Sequence, residues 1–255
     1  MREILDFVMA RVENATLQQV MDLPYYYLDI DQVWPHEFYD ELINRTPDSL
    51  KGYTPLSKKY NNRFRYELGH GENVSFSLSG LSLFTHKQDK KFWSEFQEMF
   101  IVNKEFPLAI MEKYGDKLFY NPIDPWKVNC RLCKDLPGYS IGVHSDRRDK
   151  LFSTIFYTPK NFDESKRKDW GTQILVAKEG RENINSEIHH AYNKDGSSDD
   201  FELHKWVECR PNAMFSWSIS TVSFHGVPPV KTLGYRDTIQ YFAKCQNKNR
   251  KILGD

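Results

Sequence analysis

Net charge is the first thing this chain lacks: 35 basic and 35 acidic side chains cancel over 255 residues, so no global field draws it to nucleic acid or to an anionic membrane. Affinity for either would have to come from a local patch. Cysteine is scarce. Cys130, Cys133, Cys209 and Cys245 are too few for a dense disulfide framework in a chain this long, and a reduced, cytoplasmic setting is the simplest expectation. Cys130 and Cys133 form a C-x-x-C, but no second half of a zinc site accompanies it, and a packing role in or beside a strand is expected. No opening stretch joins a basic start, an apolar core and a small-residue cleavage site, so no secretory leader is expected. The Asn-x-Ser/Thr sequons at Asn14, Asn44 and Asn73 then read as chance matches. No apolar run is long enough to cross a bilayer, and no repeat or low-complexity tract appears beyond a short acidic-serine loop at residues 195–200.

What is present is enough chain for a self-sufficient core, either one large barrel-type domain with helical decoration or two small ones. One domain over residues 1–255 is favoured, with an N-terminal elaboration at 1–121 and a core at 122–247. Apolar residues at Ile4, Phe7, Val8, Val12, Leu17 and Val20 predict an amphipathic helix and its continuation, packed on a sheet. Pro35 suits the start of a second helix, and residues 89–114 read as helical, with Phe92, Phe96, Phe100 and Ile101 on one side. Residues 57–66 alternate cations with aromatics. Such a pattern could line an anionic substrate groove or stack on single-stranded nucleic acid, but a solvated edge strand is the commoner meaning. From residue 122 onward short strands separated by turns take over, interrupted by a polar insert near 178–204 of the kind that can form a lid. His189 and His190 fall in that insert and are expected at the surface. Helices early and strands late predict an α+β chain around a jelly-roll β-sandwich.

Within the strand-rich half, residues 138–146 contain His144-x-Asp146, and a second histidine, His225, follows an apolar run and precedes Gly226, Pro228 and Pro229. Side chains at i and i+2 of extended backbone share a face, so His144 and Asp146 can approach one ion together, with His225 arriving from elsewhere in the fold. Two imidazoles and a carboxylate are the ligand set that holds ferrous iron on one face and leaves positions open. The tripeptide alone is weak. His70-Gly71-Glu72 has the same form, but it lies in a polar, glycine-bearing segment and reads as a turn. Residues 235–243 add an independent element, a predicted strand whose Arg236, Thr238 and Gln240 share a face. An inward arginine beside a threonine makes a two-pronged carboxylate receptor.

Residues 130–245 resemble the double-stranded β-helix core of the iron(II)- and 2-oxoglutarate-dependent dioxygenases, nearest to their prolyl-hydroxylase-like branch. The resemblance implies that His144, Asp146 and His225 bind iron(II). It also implies that Arg236, with Thr238 or Tyr139, anchors the distal carboxylate of 2-oxoglutarate. Asn129 is a further implied contact to the keto acid. The implied activity consumes dioxygen, releases succinate and carbon dioxide, and hydroxylates a carbon of a primary substrate; Asp146 favours hydroxylation, because relatives with a small residue there can halogenate. Two other classes stay open: a non-enzymatic jelly-roll binding protein, and a cupin-type metalloenzyme that does not use 2-oxoglutarate. Residues before Pro122 and the polar insert carry no motif that names the primary substrate, and nothing in the sequence sets an oligomeric state.

Overall fold

The computed structural model describes residues 1–56, 62–70, 83–121, 124–181, 184–185, 188–248 and 250–255. Residues 57–61 of the basic-aromatic section, Gly71 and Glu72, the Asn73 sequon, and residues 182–183 and 186–187 of the polar insert lie outside the described residues.

The first part of the chain forms α1 (Arg2–Asn14), β1 (Gln18–Gln19), β2 (Tyr26–Ile30), α2 (His36–Arg45), β3 (Thr54–Pro55), β4 (Arg63–His70), α3 (Lys87–Gln97) and α4 (Glu105–Tyr114). The buried stripe of α1 is Leu5, Val8 and Val12. Phe7 is exposed, and the predicted continuation through Leu17 is lost because Ala15 is extended and ends the helix. The helix expected over 89–114 is broken: α3 runs into a π-helical turn (Glu98–Val102), and Asn103 is extended. The Asn103 Oδ1 then accepts the Glu105 amide at 3.0 Å and opens α4, with Pro107 in its first turn, where a missing N–H costs little.

The rest of the chain supplies β5 (Trp126–Asp135), β6 (Ile141–His144), β7 (Lys150–Tyr157), a single helical turn α5 (Lys166–Asp169), β8 (Thr172–Ala177), β9 (Phe201–Val207), β10 (Ala213–Ser218), β11 (His225–Val227) and β12 (Arg236–Cys245). Two antiparallel sheets result. The larger is ordered β1-β2-β10-β7-β12-β5-β4-β3 and the smaller β6-β11-β8-β9. Strands β5, β7, β10 and β12 therefore sit in one sheet and β6, β8, β9 and β11 in the other. The chain swings between two layers as a double-stranded β-helix does, and the helices come mainly from its first half.

Alternation along each strand divides the apolar residues between two cores. Val128, Cys130 and Leu132 of β5, Phe152 and Phe156 of β7, and Ile239 and Tyr241 of β12 face the helices. There they meet Val8, Phe38, Trp93, Phe106 and Ile110. Trp34 stacks on Phe156 at 4.6 Å between ring centroids, and burial of each such ring is worth about 1.5–3 kcal/mol. On the other face Ile155, Tyr157, Phe215 and Trp217 meet Ile174 and Val227 of the smaller sheet. Cys130 and Cys133, three apart on β5, consequently point to opposite faces and form no chelating pair. All four cysteines are buried and unbridged. No described helix is long and apolar enough to cross a membrane.

The register sets out the inner face in rungs. Arg236 of β12, Asp135 of β5 and Arg63 of β4 share one, Thr238, Cys133 and Arg65 the next, and Gln240, Arg131 and Glu67 a third. The described part of the basic-aromatic section is thus no solvated edge: β4 lies between β5 and β3, Arg63 is buried, and Tyr66 and Leu68 turn to the helical core. His70 closes β4, so a strand does precede the competing tripeptide. The polar insert is shorter than its composition suggests. Strand β9 already begins at Phe201, its residues reading as polar because much of it is exposed at the margin of the smaller sheet.

Candidate metal centre

Ligand atoms of His144, Asp146 and His225 lie within 4.8 Å of one another. His144 is the last residue of β6 and His225 the first of β11, and the two are directly paired across the smaller sheet. Asp146 sits just past the end of β6 rather than on it. Ser145, between the ligands, donates to the Ser220 carbonyl at 2.6 Å and lies 3.0 Å from the Ser223 hydroxyl, which ties the segment carrying His144 and Asp146 to the one carrying His225.

Hydrogen bonds fix which ring nitrogens remain available. His144 Nδ1 lies 2.7 Å from the Gly142 carbonyl and His225 Nδ1 lies 3.0 Å from the Ser223 carbonyl. A carbonyl can only accept, so each Nδ1 carries the proton and each Nε2 keeps a lone pair, the orientation that metal-binding histidines show. Burial and the neighbouring His225 hold His144 well below its ordinary pKa, and burial lowers that of His225 against the pull of Asp146. Burial alone would lift Asp146, but Lys150 and the two imidazoles hold it well below the usual carboxylate range. Lys150 Nζ donates to its Oδ1 at 2.5 Å and Ser153 Oγ to its Oδ2 at 2.6 Å. The set is therefore two neutral imidazoles and one ionised carboxylate, with His225 Nε2 3.9 Å from Asp146 Oδ2. This donor chemistry fits a divalent cation.

The three residues and Arg236 line one cavity of about 970 Å³ between the sheets. Arg236 is fully buried and already engaged. Its Nε donates to the Trp170 carbonyl at 2.5 Å, Nη1 to Asp135 at 2.8 Å, and Nη2 makes only the longer contacts, 3.2 Å to Thr172 Oγ1 and 3.5 Å to the Gly171 carbonyl. Asp135 also accepts both prongs of Arg63, at 2.5 and 2.6 Å. Two guanidiniums thus share one carboxylate; burial works against both charges, but Asp135, with Tyr139 beside Arg63 and Tyr157 beside Arg236, more than offsets it. Tyr139 places its ring 4.2 Å from the Arg63 guanidinium, and its hydroxyl and that of Thr238 are buried with no hydrogen-bond partner among the described residues. A surplus positive charge beside orphaned hydroxyls suits an incoming carboxylate. Asn129 lies on the same face of β5 but, like Thr238 and Tyr139, does not itself line the cavity.

Four residues at this site went unread in the sequence. Arg63 belonged to a pattern with a blander meaning, Asp135 ended a strand with no motif, and Lys150 stands four residues after Asp146. His189, expected at the surface, lines the cavity and stacks on His144 at 4.1 Å with an 8° angle between the rings. No local signal marks it, because the insert docks on β6 through a long-range bridge between His190 and Val143.

No family model matches the chain, and no curated protein matches it by sequence. Similar solved structures exist. A prolyl-4-hydroxylase from Pseudomonas putida superposes over 93% of this chain and 98% of its own, with a TM-score of 0.50 at 13% identity. A prolyl 4-hydroxylase from Phytophthora capsici gives a TM-score of 0.51 at 12% identity, over 96% of this chain and 65% of its own. HygX from Streptomyces hygroscopicus, with nickel, 2-oxoglutarate and hygromycin B bound, covers 87% of this chain and 83% of its own, with a TM-score of 0.50 at 8% identity. The chain has the fold of the iron(II)/2-oxoglutarate dioxygenases, prolyl 4-hydroxylases among them, and carries a His-x-Asp…His triad within it.

Proposed function

We propose that this protein is an iron(II)- and 2-oxoglutarate-dependent oxygenase that hydroxylates its primary substrate. The observation that carries the reading is the convergence of His144, Asp146 and His225, in the protonation states a metal requires, on the cavity wall that also holds the Arg63–Asp135–Arg236 cluster.

In this reading His144 and His225 present Nε2 and Asp146 a carboxylate oxygen to iron(II), and the remaining coordination positions serve the keto acid and dioxygen. Arg236 binds the distal carboxylate of 2-oxoglutarate, with Nη2 as its least satisfied donor. Arg63 neutralises Asp135, so the wall keeps its positive charge, and the buried hydroxyls of Thr238 and Tyr139 stand behind that wall as further polar groups beside the receptor. Lys150 and Ser153 fix the Asp146 carboxylate, and the His189 ring shields one face of His144 from water. When bound, iron and the keto acid supply the oxidising chemistry, with succinate and carbon dioxide as by-products.

The test is anaerobic addition of iron(II) and 2-oxoglutarate to the protein. A weak visible charge-transfer band that needs both additions and is lost in His144→Ala supports the reading. A cupin-type metalloenzyme would show no band dependent on the keto acid, and a binding protein would show none. Aerobically, succinate release screened against substrate pools should vanish in the same variant.

A further inference from the structure

Charge around the cavity is far from the neutrality of the chain as a whole. Eight arginine and lysine side chains line it against two carboxylates, Asp146 and Asp149. Among the described residues the nearby acids do not restore the balance, because Asp255 answers Arg148 alone and three others are each shared between two cations. Asp135 serves Arg63 and Arg236; Glu67 serves Arg65 and Arg131, at 3.5 and 3.3 Å; Asp149 serves Arg147 and Lys244, at 3.2 and 3.8 Å. A dicarboxylate co-substrate would answer the charge of a divalent metal, and Asp135 and Asp146 together would offset Arg63 and Arg236. The excess beyond it, around Arg65 and Arg131, would remain.

These outer cations are placed rather than scattered. Arg65 and Arg131 stand on adjacent rungs of β4 and β5 and share the single carboxylate of Glu67, which reaches the buried Arg131 Nε at 3.3 Å without hydrogen-bond geometry. The ring of Phe242, on the cavity floor, lies 4.9 Å from the Arg131 guanidinium, 4.6 Å from the Lys150 ammonium and 5.4 Å from that of Lys244. An aromatic face steadies cations that lack enough anions. Two guanidiniums that share one carboxylate on the wall of a concave site keep donors to spare for an oxyanion.

We infer that the primary substrate is a small anion whose phosphate or carboxylate is held by Arg65 and Arg131 on the outer cavity wall. This rests on the catalytic reading of the triad, which makes the cavity the substrate site. Charge neutrality of the whole molecule fits a small acid drawn into a cationic recess better than a polymer spread over a surface.

Calorimetric titration of the nickel(II)- and 2-oxoglutarate-loaded protein with three sugars of one scaffold separates the possibilities: glucose 6-phosphate, glucuronate and glucose. Either acid should bind at least roughly tenfold more tightly than glucose, the scale of one charge-assisted contact. Added salt should weaken that preference, and the stronger acid identifies the group recognised. Arg65→Gln, half-exposed and safe for folding, and Arg131→Gln should each reduce the preference while the affinity for 2-oxoglutarate stays unchanged. Equal binding of glucose and the acids, no binding of either acid, or a preference that survives in both variants overturns the inference. Titrating 2-oxoglutarate itself into the nickel-loaded protein, and the acids with it omitted, keeps the two readings apart: if the keto acid never binds but the acids do, the catalytic reading fails and the anion site stands.

Discussion

Arg236 keeps its charge although it is fully buried, chiefly because Asp135 lies beside it. Because Asp135 also holds both prongs of Arg63, replacing Arg236 with lysine retains the charge but loses the fork that spans Trp170, Asp135 and Thr172. A charge-assisted contact is worth about 1.5–3 kcal/mol, so Arg236→Lys should weaken 2-oxoglutarate binding roughly tenfold to a hundredfold with nickel affinity unchanged. Titration of 2-oxoglutarate into nickel-loaded protein reads this directly, and a variant that loses nickel instead would place Arg236 among the residues that shape the metal site. A second buried pair governs pH dependence. Burial lifts Asp237 from 3.8 to about 6, although Lys134 at 2.6 Å pulls the other way. The folded state therefore keeps a proton that the unfolded chain releases, so this group's stabilising contribution is full below about pH 4 and disappears as pH rises through about 6. Asp237→Asn leaves Lys134 unpaired and should be less stable throughout, but urea unfolding should show its deficit narrowing between pH 4 and 7. Widening would refute the raised value. Histidine and aspartate two apart are legible in a sequence because the ligands are neighbours there. Arg63, Asp135 and His189 meet the site only through register and loop docking, which no local pattern encodes.

Element positions are set by what each strand must face. The alternation of Arg236, Thr238 and Gln240 against Ile239 and Tyr241 was readable in the sequence because β12 is sandwiched, with the cavity on one face and the helices on the other. The meaning of Arg63 and Arg65 was not, since a strand of cations and aromatics looks alike at a solvated edge and at a charged cavity wall. The start of α1 was readable from periodicity, but its end was decided by extended backbone at Ala15. Docking of the insert is the least legible element and the most exposed to a single substitution. Val143 and His190 exchange backbone hydrogen bonds at 2.8 Å in both directions, and a Cβ on Gly142 would stand 2.3 Å from the His190 carbonyl oxygen. That approach is closer than any side chain permits, and the atom it meets is backbone. Gly142→Ala should therefore release the insert from β6 while the two sheets stay folded. Hydrogen exchange should quicken at Val143 and His190, and protease should cut within residues 178–200, with little change at β7 or β12. Unaltered protection at His190 would mean that the insert is held by other contacts.

At the scale of the whole molecule, the proposed metal site joins segments nearly 80 residues apart in the chain, and both segments lie on the smaller sheet. The unfolded chain has no such convergence, so a cation that binds the native triad stabilises the native state by mass action. With free nickel at about 100 times its dissociation constant, that stabilisation is about 2.7 kcal/mol. For a chain of this size each kcal/mol moves the melting temperature by about 2–4 °C, so saturating nickel should raise it by roughly 5–11 °C, and chelation should reverse the rise. His225→Ala keeps His144 and Asp146 but removes the ligand that spans the two segments, so its melting temperature should be nearly indifferent to nickel. Differential scanning calorimetry of the two proteins, with and without metal, makes the comparison. An equal rise in His225→Ala would mean that nickel binds elsewhere, with His36 beside Asp40 on the exposed face of α2 as a ready alternative, and the triad would lose its claim to be the metal centre.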